Sequence, residues 1–359
     1  MRALIIKTSS LGDVLHTFGV VEYLKKRGVE SIGWAVEKKA APLVHAHPMV
    51  DTVIELDSAH LRALFPHPSC IREFFNQRKR VRKERWDVAF DFQANCKSGL
   101  VTFLARAGTK VGYAKKRVSE WPNVLATNTR FVPPSGLSVR GEYLWMVKEY
   151  FQDHFPFSPS PVQLLTAPEQ EEDISLELSR WPEQCPVWIV APGSYWKSKT
   201  CRLEMLLELF SRVQKRFSPY YIFVAGTNEE LSLTGKLAEK FPQTSHVLFR
   251  PDLVVLQHVM DRACAVVSMD SLVLHLGATT KTPTFGIFGP SSAARYGPEG
   301  LQHGAYQGRC YFGEKFERRC RYLRTCPGSP CLHKASPHEI LEPLSTWYER
   351  ITVEKQDSI

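Results

Sequence analysis

The sequence predicts an α/β fold made of two doubly wound, Rossmann-like halves, each built on a parallel sheet. Three observations lead there. Short apolar runs alternate with segments of helical periodicity, a proline- and serine-rich stretch interrupts the alternation near the middle, and the alternation then begins again. The length of 359 residues suits two domains of roughly 100–200 residues each.

Taken in order, Ala3 to Lys7 reads as a strand, followed by a turn through Gly12 and a helix marked by Val14, Leu15, Phe18, Val21 and Leu24 that stops near Gly28. Ser31–Val36, Thr52–Leu56, Asp87–Phe92 and Lys110–Tyr113 read as further strands. Between Phe155 and Pro168 the string FPFSPSPVQLLTAP blocks regular hydrogen bonding and marks an inter-domain connection. Val187–Val190, Tyr220–Val224, Ala265–Ser268 and Thr284–Phe288 then read as buried strands, each leading through a polar loop into a helix. The expected domains are 1–160, 161–336, and a final helix within 337–359 that crosses back to the first half. Ligands are expected at the strand ends and in a cleft between the two facing halves.

Composition narrows the class. Apolar residues make up 43% and charged residues 23%, which excludes disorder, collagen and small disulfide-stapled scaffolds. No stretch reaches the roughly 18 unbroken apolar residues of a membrane span, and Lys7 and Asp13 stand where a signal peptide needs an apolar run, so a cytoplasmic location is expected. Nine cysteines without a secretion signal read as reduced thiols. The net charge of +9 is concentrated. Arg62 to Arg85 carries eight Lys/Arg against two Glu, and Arg309 to Arg324 carries six against two. Such segments suit an anionic partner, whether nucleic acid, phospholipid or a phosphorylated substrate, or else a solvated helix face.

Three constellations carry candidate chemistry, each at a strand end. In Lys7–His16, Gly12 permits a tight turn that sets Asp13 at a helix start with His16 one turn on; Asp13 either accepts a proton from a hydroxyl or caps the helix. A single glycine there is not the dinucleotide fingerprint. Ala191–Lys199 offers backbone amides, the Ser194 hydroxyl and two lysines, the requirements of a diphosphate cradle, without the spacing of a P-loop. Ser268–His275, followed by Phe288–Ser292, places Asp270 and Ser271 where a helix begins, a carboxylate for sugar hydroxyls beside an amide end for phosphate.

Together these motifs resemble the bacterial lipopolysaccharide heptosyltransferases that use ADP-heptose, the type that adds the first heptose to Kdo-lipid A in particular. The strings KTSSLGDVLHT, DVAFDFQANCKSG, PGSYWKSK, AGTNEE and MDSLVLHLGATTKTPTFGIFGPS carry the likeness over nearly the whole chain. The resemblance implies a GT-B fold, with acceptor in the first half and nucleotide sugar in the second, and inverting transfer without a metal or other cofactor. Asp13 matches the catalytic base, and Lys199 the lysine that neutralises the donor phosphates. Gly193 and Ser194 adjoin it, Glu229 or Glu230 falls where an acidic residue holds the ribose, and Asp270, Ser271 and His275 match the donor-binding turn. Acceptor contacts are implied for Ser10, Gly12, His16, Gln93 and Lys97. The basic segment, through Arg72, Arg78, Lys79, Arg80, Arg82 and Lys83, would meet acceptor phosphates and the anionic inner-membrane surface.

The sequence departs from that family at Leu272, where glycine usually follows the hydroxyl residue; a side chain there bears on which donor fits. Cys310, Cys320, Cys326, Cys331 and His333 lack the CxxC pairs of a zinc knuckle and read as packed thiols. Two alternatives remain beside the main reading: a transferase using another nucleotide sugar or adding a later core heptose, and a catalytically impaired homologue that binds anionic lipid or nucleic acid. Against nucleic acid, no RNP-type motif, helix-turn-helix signal or zinc finger accompanies the charge.

Overall fold

A computed structural model describes residues 1–63, 67, 69–326 and 328–356. The Arg62 side chain of the basic segment and the last three residues of the expected final helix lie outside the described residues. The chain divides into two compact units, Met1–Leu165 and Thr166–Ile359.

The first unit holds β1 (Arg2–Ile6), β2 (Ser31–Glu37), β3 (Thr52–Leu56), β4 (Arg85–Asp91), β5 (Arg106–Tyr113) and β6 (Thr129–Phe131), all parallel and ordered β3-β2-β1-β4-β5-β6. The second holds β7 (Val187–Ala191), β8 (Tyr220–Ala225), β9 (Ser245–Phe249), β10 (Ala265–Met269), β11 (Thr284–Phe288) and β12 (Gly304–Gln307), ordered β12-β11-β10-β7-β8-β9. Counted from its own first strand, the second sheet repeats the order of the first. Both therefore reverse direction beside their first strand, and the crevice outside the carboxyl ends at that switch point is where such folds bind ligands. The two α/β units and their parallel sheets are those expected.

The central strands are recognisable because they are buried on both faces. β7, β10 and β11 are buried at every residue, and such strands read as continuous apolar runs. The sequence reading missed β6, β9 and β12. Each is an edge strand with partial burial, so its residues TRF, SHVLF and GAYQ carry no such run.

In the first core Leu4, Ile6, Ala35, Ile54, Val81, Trp86 and Ala89 pack together. Gly33 lets β2 lie against Trp86, since a Cβ there would stand 2.2 Å from the indole edge. The proline-rich connection is held to this unit: the Ser160 amide and hydroxyl donate to Glu22, and the Leu165 amide donates to the Ala46 carbonyl at 2.7 Å. The unit boundary accordingly follows Leu165 rather than residue 160.

The final helix, Pro337–Gln356, belongs to the second unit. Ile340, Leu344, Trp347, Tyr348 and Ile351 share one helical stripe and are buried in the second core with Trp188, Leu209 and Phe285. Helical spacing shows that one face is covered; it does not say by which partner. No helix among the described residues is long and apolar enough to cross a membrane.

Candidate active site

The loops that follow β1 and β4 flank the first switch point. Ser10 is exposed and precedes the short helix Leu11–Leu15, in which Gly12 and Asp13 are half-buried. The Ser10 amide and hydroxyl donate to Asp13 Oδ2 at 3.1 and 3.0 Å. Asp13 thus holds the turn in shape while its carboxylate stays at the surface of the loop. His16 is 3% exposed and lies in the interior, away from the loop surface where the acceptor contact was expected.

After β4 the chain is fixed by Asp91, a fully buried residue that sequence reasoning did not single out. Its Oδ1 accepts the amides of Gln93 (2.9 Å) and Ala94 (3.0 Å). Its Oδ2 accepts Ser98 Oγ, Thr102 Oγ1 and Asn123 Nδ2 at 2.9, 3.1 and 2.6 Å. Five donors make the loop rigid where it turns into the helix Cys96–Leu104. Gln93 then reaches the first loop, accepting the Ser9 amide at 3.3 Å, and Lys97 Nζ pairs with Glu37 at 3.0 Å. Lys7, at the end of β1, is 4% exposed, its ammonium 3.5 Å from the Phe92 carbonyl and 5.1 Å from the Tyr143 ring centre. The sequence signal for Asp91 was present: a carboxylate ending an apolar strand, with Ser98 and Thr102 following at helical spacing.

The basic residues do not gather at this site as one group. Arg72, Arg78 and Arg80 are exposed on the helix Ser69–Val81, whose end leads directly into the start of β4. Arg72 sits in its first turns, and Arg80 pairs with Glu73 at 2.9 Å. Arg78, Lys79 and Arg82 continue into a basic surface with Arg85 and Arg106, at the amino ends of β4 and β5, and with Lys110 midway along β5. A strand of seven residues spans roughly 20 Å. Arg78 and Arg80 therefore lie toward the opposite end of the sheet from Asp13 and Gln93, because a crossover helix runs antiparallel to the strand it enters.

The second unit builds its site from the loops after β7, β8 and β10. Lys199 closes a short 3₁₀ turn, Lys197–Lys199, and is buried at 7% exposure. Its ammonium donates to Asp270 Oδ2 at 2.5 Å, the same oxygen accepts the Ser291 hydroxyl, and His275 Nε2 lies 3.5 Å from Oδ1. Burial alone would raise the Asp270 carboxyl; the hydrogen bond from His275 and the Lys199 charge outweigh it and hold the group well below the usual carboxylate range. Asp270 itself is 6% exposed, so its carboxylate serves as the buried partner of Lys199 and not as an open acceptor for sugar hydroxyls. The Ser194 hydroxyl donates to the Asp270 carbonyl at 3.2 Å, and Ser271 Oγ lies 3.0 Å from Ser268 Oγ at the start of the helix Leu272–Gly277.

Gly193 packs where a side chain would not fit. A Cβ there would stand 2.4 Å from Glu230 Cγ. Glu230 in turn accepts the amides of Gly226 (2.7 Å) and Thr227 (3.2 Å) and fills the third position of the helix Asn228–Lys240, so its carboxylate shapes the loop after β8. Glu229, one residue earlier, is exposed. Of the two candidates for a ribose contact, Glu229 faces solvent and Glu230 is engaged. Leu272 is half-buried at the helix start.

Comparison with known proteins finds relatives along most of the chain. Lipopolysaccharide heptosyltransferase 1 of Pseudomonas aeruginosa is 24% identical over 348 residues, covering 95% of this chain and 89% of its own length. The structure of E. coli heptosyltransferase WaaC with ADP matches with a TM-score of 0.72 at 22% identity, over 86% of this chain and 94% of that one. E. coli ADP-heptose lps heptosyltransferase II matches at 0.69 and 18%, over 98% and 100%. These likenesses show the GT-B architecture. Residues 74–325, more than half the chain, match glycosyltransferase family 9 (heptosyltransferase), and the protein belongs to that family of glycosyltransferases.

Proposed function

We propose that this enzyme moves a heptose from ADP-heptose to the Kdo-lipid A inner core of lipopolysaccharide, with inversion at the anomeric carbon. Membership of family 9 and the curated relatives named lipopolysaccharide heptosyltransferase 1 support the reaction class. The observation that carries the chemistry is the division of groups between two equivalent switch points: a surface carboxylate at the first, a buried ammonium with hydroxyls and amides at the second.

In this reading the Asp13 carboxylate takes the proton of the acceptor hydroxyl as its oxygen forms the new bond to the anomeric carbon. The bond from that carbon to the diphosphate oxygen breaks on the opposite face, and ADP leaves with the electron pair. Lys199, the amides after Pro192 and the Ser271 amide and hydroxyl stabilise the departing charge. Asp270, with Ser291 and His275, keeps the ammonium positioned. Glu229 holds the ribose hydroxyls, and Gln93, Lys97 and Arg72 meet the acceptor. The more distant Arg78, Lys79 and Arg82 meet anionic lipid, placing the enzyme at the inner face of the membrane. Leu272 favours one second reading, a donor whose diphosphate sits differently from that of ADP-heptose.

Mass-spectrometric detection of one heptose added to Kdo-lipid A tests the proposal. Asp13→Ala should lower turnover about 10²- to 10⁴-fold, the span of general-base catalysis, while ADP binding is unchanged. Near wild-type transfer by that variant would remove Asp13 from the role of base.

A further inference from the structure

One face of the first sheet is covered by the helices Ser69–Val81 and Cys96–Leu104, whose Val81, Val101 and Ala105 pack on Leu4, Ile6 and Ala89. The 3₁₀ helix Trp121–Ala126 lies against the second of these. A Cβ on Gly99 would stand 3.1 Å from Asn123 Cα, and Asn123 Nδ2 donates to the Asn95 carbonyl at 3.0 Å. The three elements form one layer whose inner positions are fixed by packing.

Their outer positions are apolar. Ile71 and Phe75 stand one turn apart on the first helix, and Phe75 is 54% exposed. Leu100 and Phe103 are one turn apart on the second, with Phe103 66% exposed, and Trp121 and Leu125 are exposed on the third. The helices Phe18–Lys26 and Val139–Tyr150, which pack on each other, present no exposed large apolar side chain. Among the described residues, the exposed apolar bulk of this unit's helices is thus gathered in one layer. Such a patch, rimmed by polar groups, marks an interaction surface.

Cations surround it. Arg82 Nη1 donates to the Leu104 carbonyl at 3.4 Å, and Lys110 Nζ stands 5.9 Å from the Phe103 ring centre. Phe75 shares a surface hollow with Arg78, Lys79 and Lys83; Phe103 shares the next with Arg85 and Arg106, and Arg82 lines both.

We propose that this layer docks the enzyme on an anionic lipid bilayer, with Phe75, Phe103 and Trp121 entering the headgroup boundary while the surrounding cations hold lipid phosphates. The proposal rests on the reading of a membrane-held acceptor given above, and it adds which side chains enter the membrane and which face lies on it. Charge selects the occupant. A second copy of this chain would set the same cations against one another, whereas an anionic bilayer neutralises them. Aromatic rings that bury apolar area beside basic side chains are the composition of an interfacial surface.

Docking along this face also brings the acceptor loop to the membrane. The helix Cys96–Leu104 spans about 14 Å and begins beside the loop that carries Gln93, so lipid under Leu100 and Phe103 lies close to Lys97. The basic residues at one end of the sheet and the proposed acceptor contacts at the other then touch one plane.

Sedimentation of the full chain with vesicles of phosphatidylglycerol and phosphatidylethanolamine reads the docking directly. Phe75→Ser and Phe103→Ser should each weaken binding about tenfold, by the same factor at low and raised salt, because burial of apolar area is not screened. Leu176→Ser, which alters an exposed residue of the second unit, should bind as the wild type does. Vesicles brominated on their acyl chains should quench the tryptophan emission of the wild type and quench that of Trp121→Phe markedly less. Serine variants that bind like the wild type at both salt concentrations, or quenching undiminished in Trp121→Phe, overturn the proposal. So does a wild type that is dimeric without lipid and monomeric in the serine variants, which gives the layer to a second copy. Heptose transfer to a deacylated, water-soluble Kdo-glucosamine acceptor is read separately and should be equal in the wild type and the serine variants. Its absence from the wild type strikes the proposed acceptor and leaves the vesicle result standing.

Discussion

Replacing Lys199 by methionine isolates the buried ion pair of the second unit. Lys199 and Asp270 are 9% and 6% exposed at the side chain, so removing the ammonium leaves a carboxylate with almost no water to turn to. Breaking such a pair from one side costs about 3–5 kcal/mol. Ser291 still donates to Asp270 and His275 remains 3.5 Å away, which places the expected loss at the lower end, about 3 kcal/mol. For a unit of this size that lowers its melting temperature by roughly 6–12 °C. Asp270 is held below its ordinary value in the fold, so the pair's contribution is fully present above about pH 4 and is lost only as the pH falls through the lower folded value. Circular dichroism melts at pH 7.5 therefore read the whole effect. A double-mutant cycle with Asp270→Asn supplies the control. The double variant should melt above Lys199→Met, with a coupling of about 2–3 kcal/mol, because it no longer buries an uncompensated charge. Single variants within about 0.5 kcal/mol of wild type, with an additive cycle, would refute a desolvated pair.

Further tests address other parts of the molecule. Gly193→Ala sets a methyl group 2.4 Å from Glu230 Cγ and should destabilise the second unit by about 1–3 kcal/mol and weaken ADP binding, measured by urea titration and calorimetry. His47 is buried in the first unit and burial lowers its imidazole to about 4. The unfolded chain takes up that proton near pH 6.5, so stability is full above that pH and declines on acidification by on the order of 3 kcal/mol at pH 4. His47→Leu should flatten that slope in urea titrations at stepped pH. Arg78→Glu with Arg82→Glu should reduce sedimentation with anionic vesicles at least tenfold in low salt, and raised salt should do the same to the wild type; binding indifferent to both charge and salt would rule out an electrostatic surface.

Much of this organisation is legible in the residues. Ile189 and Val267 stand in strands buried on both faces, and burial of that kind writes itself as an unbroken apolar run. Tyr306 stands in an edge strand, where one side meets solvent, and the signal fades. The candidate site residues stand out in the sequence because they follow strands at glycine- and serine-rich turns, as Gly12, Gly193 and Ser271 do. Which of them face solvent was not legible. Asp270 and Glu230 are engaged internally because their partners, Lys199 and the Gly226 amide, come from sequence-distant or backbone positions. The shared cavity of the tail cysteines was not legible either, because Cys310, Cys320 and Cys326 stand in an irregular loop and Cys331 in the helix that follows it.

The contact between Gly193 and Glu230 ties together two loops that share no stretch of sequence. Any lineage that acquired a side chain at the first position would need a shorter residue at the second in the same step, and that shorter residue would surrender the two amides which Glu230 accepts. Neither position is thus able to drift alone, and the pair should change in concert, or not at all, among descendants that keep these two loops.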